Sequence, residues 1–144
     1  VEPWKFVYLN TQVQNEEYGQ VCSDSLKFLR SHIAAKDASF LVIFMHHPPF
    51  FVGSNWIDKI GLKAGRDEFL RLIQHPKIKL VVSGHVHQES QMEIGSVKLV
   101  TSPSTCVQFK PYSDVFALGN SNPGYRLITL WENGEFSTEV VRLT

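Results

Sequence analysis

Two apolar runs, each delivering histidines at its end, constrain this chain more than any other feature. Phe40-Leu41-Val42-Ile43-Phe44-Met45 leads into His46-His47-Pro48-Pro49, and Ile78-Lys79-Leu80-Val81-Val82 leads through Ser83-Gly84 into His85-Val86-His87-Gln88. Short apolar runs rich in β-branched and aromatic residues read as buried strands. Four of the six histidines thus follow the carboxyl ends of two core strands, where layered α/β proteins bind ligands. Gly84 allows a sharp turn off the strand end. His85 and His87 are two apart, so in an extended segment both point the same way. Neutral imidazoles on one side of such a loop can each give a nitrogen to a metal. Either histidine group alone is also compatible with a surface turn or a satisfied core histidine. Two groups separated by one strand-helix-strand unit point to a metal site.

The rest of the chain builds a frame for those strands. Trp4–Leu9 alternates and is β-prone. Asn10–Val21 is polar and reads as a loop. Ser23 or Asp24 is the expected cap of a helix running to about Lys36, with Leu26, Leu29 and Ile33 on one face. His46–Gly65 reads as a long loop, a length that often carries function. Arg66–Gln74 reads as a helix stopped near Pro76. Gly95-Ser96 suits a type II′ hairpin turn between Gln91–Ile94 and Val97–Val100, and Asn133-Gly134 suits a type I′ turn between Tyr125–Trp131 and Glu135–Leu143. The order βαβαβ followed by antiparallel hairpins predicts an α/β fold with a mixed sheet and helices on one face.

Composition excludes several classes. Fourteen basic and fourteen acidic residues cancel in 144, which leaves no basic footprint for nucleic acid. No stretch reads as a membrane span or a signal peptide. Two cysteines, Cys22 and Cys106, do not make a disulfide scaffold and fit a cytoplasmic location. There is no Cys-x-x-Cys pair for structural zinc, no Gly-rich phosphate loop and no Gly-x-Ser-x-Gly nucleophile elbow.

The run Phe44-Met45-His46-His47-Pro48-Pro49 followed by Gly84-His85-Val86-His87 resembles the last two motifs of the calcineurin-like metallophosphoesterases. Four further stretches resemble the bacterial class III 3′,5′-cyclic AMP phosphodiesterases within that family: Tyr8–Val13, Trp56-Ile57-Asp58, Thr101–Pro111 and Pro123–Arg126. The family pattern opens with Asp-x-His, Gly-Asp and Gly-Asn-His-Asp/Glu, none of which occurs here. The chain, 1–144, is therefore expected to be one domain, the C-terminal part of such an enzyme and half of a four-layer αββα sandwich. The resemblance implies two metal ions (Fe, Mn or Zn) in the intact enzyme, with His46 and His85 on one and His87 on the other. His87 would also lie beside the substrate phosphate. The remaining ligands and the catalytic residues would belong to the missing N-terminal part.

The implied reaction is hydrolysis of cyclic AMP to 5′-AMP, with the 144-residue chain alone expected to lack substantial turnover. The alternative is a non-catalytic metal-binding or self-associating module. Half a sandwich leaves apolar sheet uncovered, so a homodimer, or pairing with an N-terminal half, is expected. His47 is open between support or substrate contact and a packed, capping role. Trp56 and Phe50-Phe51 are open between a base-stacking lid and core packing, and Lys110 between a phosphate contact and a solvated lysine. Cys106 has no base partner and does not read as a nucleophile. Asp58 and Glu68 read as ordinary surface acids.

Overall fold

The computed structural model describes residues 2–144. Among the described residues nine strands and three helices follow in order: β1 (Trp4–Leu9), β2 (Gly19–Gln20), α1 (Ser23–Ala34), β3 (Phe40–Met45), α2 (Asn55–Asp58), β4 (Leu62–Ala64), α3 (Arg66–Leu72), β5 (Ile78–Ser83), β6 (Gln91–Ile94), β7 (Val97–Thr101), β8 (Gly124–Leu130) and β9 (Phe136–Arg142). The central sheet has the order β1-β3-β5-β7-β6. Its first four strands run parallel and β6 returns antiparallel at the edge. β3 and β5 are neighbours, with Met45 opposite Ser83. The two histidine segments therefore leave the sheet side by side.

Each face of the sheet has its own core. On one face Val7, Leu9, Leu41, Ile43, Met45, Ile78, Val81 and Leu99 pack against Leu26 and Leu29 of α1 and Phe69 of α3. On the other face Trp4, Val42, Leu80, Val82 and Val100 pack against Ile128, Leu130 and Phe136 of the β8–β9 hairpin. The result is three layers: helices, mixed sheet and hairpin. Phe6 and Tyr8 share the hairpin face of β1 but lie beyond its cover, and Tyr8 stays 69% exposed while stacking on Phe44 at 5.1 Å. Tyr125, Leu127 and Trp131 line the outer side of β8 and its turn and are likewise exposed.

Several local expectations change. The long loop after β3 carries α2 and β4, and the polar segment after β1 contains β2, which pairs in parallel with β4. The residue before α1 is Cys22, with no side-chain cap bond; Ser23 and Asp24 fall in the first turn. Gly95-Ser96 does form a two-residue connection, with Gly95 at φ +60° and Ser96 outside the left-handed region, as a type II′ turn requires. Asn133-Gly134 does not form a type I′ turn, because only Gly134 has positive φ, at +87°. The Gly134 N–H bonds the Trp131 carbonyl and Trp131 N–H bonds Glu135. That is a three-residue loop, a type I turn closed by a glycine bulge.

Asp58 is not an idle surface acid. Its two carboxylate oxygens accept the N–H groups of Val52 and Gly53, both at 2.9 Å, and so close the loop between β3 and α2. Glu68 does behave as a surface acid, paired with Arg30 across exposed helix surface. Among the described residues no helix is long and apolar enough to cross a membrane.

Candidate metal centre

The chain turns sharply off β5, but not at Gly84. His85 and His87 take the left-handed conformations, at φ +62° and +48°. The Val86 N–H reaches the Gly84 carbonyl at 2.7 Å, a γ-turn centred on His85. A non-glycine residue held there costs on the order of 1–3 kcal/mol and persists only where its surroundings fix it. The segment is not extended, so its histidines do not point the same way. His85 faces His46, and His87 faces the Val107–Phe109 loop.

The surroundings that fix the turn are identifiable. Gly84 N–H donates to the His46 carbonyl and Ser102 N–H to the Ser83 carbonyl. The buried Thr101 hydroxyl donates to the Gln88 carbonyl at 2.7 Å and accepts from Ser90 N–H at 2.9 Å. Arg126 of β8 clamps the Thr101 carbonyl with two bonds. The histidine loop is thus tied to β3, β7 and the hairpin layer.

Three histidines gather: the available nitrogens of His46, His47 and His85 lie within 4.8 Å of one another. Their hydrogen bonds separate their roles. His47 Nε2 lies 3.0 Å from the Glu17 carbonyl, so it donates; Nδ1 lies 2.8 Å from the Thr11 hydroxyl, so it accepts. Both ring nitrogens are engaged and no lone pair is left for a metal. His47 is a buried brace joining the segment after β1 to the end of β3, which selects the packed reading of this residue.

His46 Nε2 and His85 Nδ1 have no such partners and stand 3.3 Å apart. Two nitrogens each about 2.1 Å from one tetrahedral ion are about 3.4 Å apart. At that spacing the pair fits one metal ion through His46 Nε2 and His85 Nδ1, which leaves the ring proton on His85 Nε2, a buried atom with no hydrogen-bond partner. His87 Nδ1 donates to the Val107 carbonyl at 3.0 Å, leaving the Nε2 lone pair free. That is the arrangement in which ligating histidines are usually oriented. Imidazole nitrogens suit Zn, Fe and Mn without selecting among them.

His46 is exposed at the strand end, yet partial desolvation of its ring lowers its pKa, with a smaller contribution from His87. Burial also takes His85 down to about 4, helped by His47 and His46. Both imidazoles are neutral near pH 7 and need release no proton to bind a cation. Free imidazole titrates near 6.5. Between about 6.5 and about 4 the unfolded chain therefore binds more protons than the folded one. The metal-free protein should lose stability as pH falls through that window, read as falling urea midpoints. A midpoint that stays flat would contradict the neutral state of the half-buried His85.

The remaining expected residues are dispersed. Phe50 is buried in the core, and Phe51 is exposed under Arg66. Trp56 contacts Phe109 and Phe116. Cys106 is exposed and free. Lys110 is exposed on the same loop. Thr11, Gly19 and Phe109 are site-supporting residues whose roles sequence reasoning missed. Thr11 and Phe109 lay inside stretches already singled out by resemblance, but their partners are distant in sequence.

Histidines at the carboxyl ends of neighbouring parallel strands, one pair spaced for a shared ion, define an α/β protein with a candidate metal centre. The calcineurin-like phosphoesterase profile matches residues 2–89, and the chain belongs to that family. It is 39% identical over 141 residues to the 3′,5′-cyclic adenosine monophosphate phosphodiesterase CpdA of Vibrio vulnificus, covering 97% of this chain and 51% of that protein. The chain thus spans about half the length of the curated relatives it matches. The fold also resembles that of GAP50, the anchor in the inner membrane complex of Plasmodium, with a TM-score of 0.62 at 17% identity over 96% of this chain and 45% of that one. A dimetal phosphatase from Danio rerio gives 0.52 at 19% identity over 81% and 37%.

Proposed function

We propose that this chain is the C-terminal part of a metal-dependent phosphodiesterase that hydrolyses 3′,5′-cyclic AMP to 5′-AMP. The observation that carries the reading is the His46–His85 pair, 3.3 Å apart with unshared nitrogens at the ends of adjacent parallel strands. The relatedness to a cyclic AMP phosphodiesterase supports the substrate. His46 and His85 would hold one metal, and His87, through its Nε2 lone pair, the other, which would put the His87 ring beside the substrate phosphate. Fe, Mn and Zn all suit these donors. Bound metals would neutralise the phosphodiester and lower the pKa of a water so that a nucleophile exists at neutral pH.

The chain's own residues set the stage for that chemistry. Thr11 and Glu17 lock His47, so the backbone that carries His46 is held from both sides. The Val107 carbonyl fixes the tautomer of His87. Three histidines are too few to hold two metals, so the chain by itself should turn over little substrate. A complementary segment or a second copy would cover Phe6 and Tyr8, whose exposure supports such pairing. Two free cysteines suit a cytoplasmic setting.

The test is cyclic AMP hydrolysis, followed by separation of 5′-AMP and 3′-AMP. The metal-loaded full-length gene product should yield 5′-AMP, and chelation should abolish the activity. A full-length product that binds metal and hydrolyses no phosphodiester would instead support the alternative, a metal-binding or self-associating module.

A further inference from the structure

The mechanism leaves an aromatic cluster beside His87 without a task. Phe109 lies parallel to the His87 imidazole, with ring centres 4.3 Å apart and planes 5° apart. Trp56 of α2 meets Phe109 edge-on at 5.0 Å, Phe116 meets Phe109 at 5.6 Å, and Trp56 meets Phe116 at 5.3 Å. The three rings form a closed triangle of edge-to-face contacts, the geometry that aromatic quadrupoles favour. Its segment is pinned: Phe109 bridges Leu118, Lys110 N–H bonds the Ala117 carbonyl at 2.8 Å, and Asp114 accepts from Asn55 at 2.5 Å. Phe116 is nevertheless 62% exposed. Trp56 Nε1 is buried without a partner. A ring held in place by its neighbours and left open to solvent, two ring contacts from a metal-site histidine, is a platform rather than a piece of core.

Resting on the phosphodiesterase reading, we propose that Phe116, seated on Trp56 and Phe109, is the platform on which the substrate's nucleobase stacks. The occupant follows from the chemistry of the wall. It presents the π-surface of three uncharged rings, with the nearby Asp114 carboxylate turned to the Asn55 amide through one oxygen. That surface suits a flat uncharged ring, and every base has a π-face. A nucleotide whose phosphate lies at His87 carries its base one sugar away, and Phe116 is reached from His87 through the single ring of Phe109. The cluster thus makes the site selective for nucleoside phosphodiesters over simple ones.

The test is binding, so it stands apart from turnover. AMP and ribose 5-phosphate share sugar and phosphate and differ by the base. Titrated by calorimetry into the metal-loaded full-length protein, AMP should bind about tenfold or more tightly than ribose 5-phosphate, the scale of one base–aromatic stack. Phe116→Ala should close that gap, and Phe116→Trp should keep it. Equal binding of the two ligands, no binding of AMP, or a gap that survives Phe116→Ala would each overturn the proposal. A protein that shows the gap but hydrolyses no cyclic AMP would fail the enzymatic reading alone.

Discussion

Replacing His85 with asparagine is expected to lower affinity for a divalent cation at least about a hundredfold, beyond what is usual for residues that only support a ligand. His85 Nδ1 is one of two unshared nitrogens 3.3 Å apart, so its loss leaves His46 as a lone donor there. Asparagine is chosen because the position sits at φ +62°, which Asn tolerates better than most residues. The turn should therefore survive. Stability of the metal-free protein should change little at pH 7 and improve relative to wild type below about pH 6, because the variant no longer buries a group that must stay neutral. Calorimetric titration with Mn²⁺ or Zn²⁺ reads the first effect, and urea midpoints against pH read the second. Unchanged affinity would remove His85 from the ligand set. A collapse of stability at pH 7 would mean that the ring, not its nitrogen, is what the site needs.

The same residue shows where sequence reasoning stops. The strands, their histidine ends and the helices on one face were legible because apolar periodicity is a local property, and β1, β3, β5 and α3 are written in it. The direction of each imidazole was not. An extended segment would have aligned His85 and His87, and Gly84 was the natural place for a turn. The γ-turn at His85 is instead imposed by bonds from Gly84 to His46, from Ser102 to Ser83 and from Thr101 to Gln88 and Ser90, all made across the fold. Nor can adjacency within His46-His47 say which imidazole keeps a lone pair. That depends on Thr11 and Glu17, thirty residues or more away in the chain.

Asp58 carries the same lesson. Nothing in Trp56-Ile57-Asp58 announces that the carboxylate turns back to Val52 and Gly53. The turn at Asn133-Gly134 was misread for a different reason. The dipeptide favours a type I′ turn, yet pairing of Leu130 with Phe136 leaves more residues in the connection than that turn holds. Register, a property of the pair of strands, decided the turn.

The second large effect is expected at Gly19, whose backbone lies against His47. A methyl group there would fall 2.3 Å from His47 Nδ1 and 2.4 Å from its Cγ. The obstacle is the body of a buried ring fixed by Thr11 and Glu17, not the tip of a flexible chain, so something must shift. Gly19→Ala is accordingly expected to destabilise the protein by about 1–3 kcal/mol, the usual cost of overpacking a filled interior. It should also weaken metal binding, because His47 cannot yield without disturbing His46 beside it. Gly95→Asn provides the contrast: a side chain at that turn meets nothing within 4 Å, and Asn accepts its positive φ. Chemical denaturation of both variants, with and without metal, separates the cases. If Gly19→Ala matched wild type in midpoint and in metal affinity, His47 would be a movable ring, and the brace that holds His46 at the end of β3 would have to be sought elsewhere.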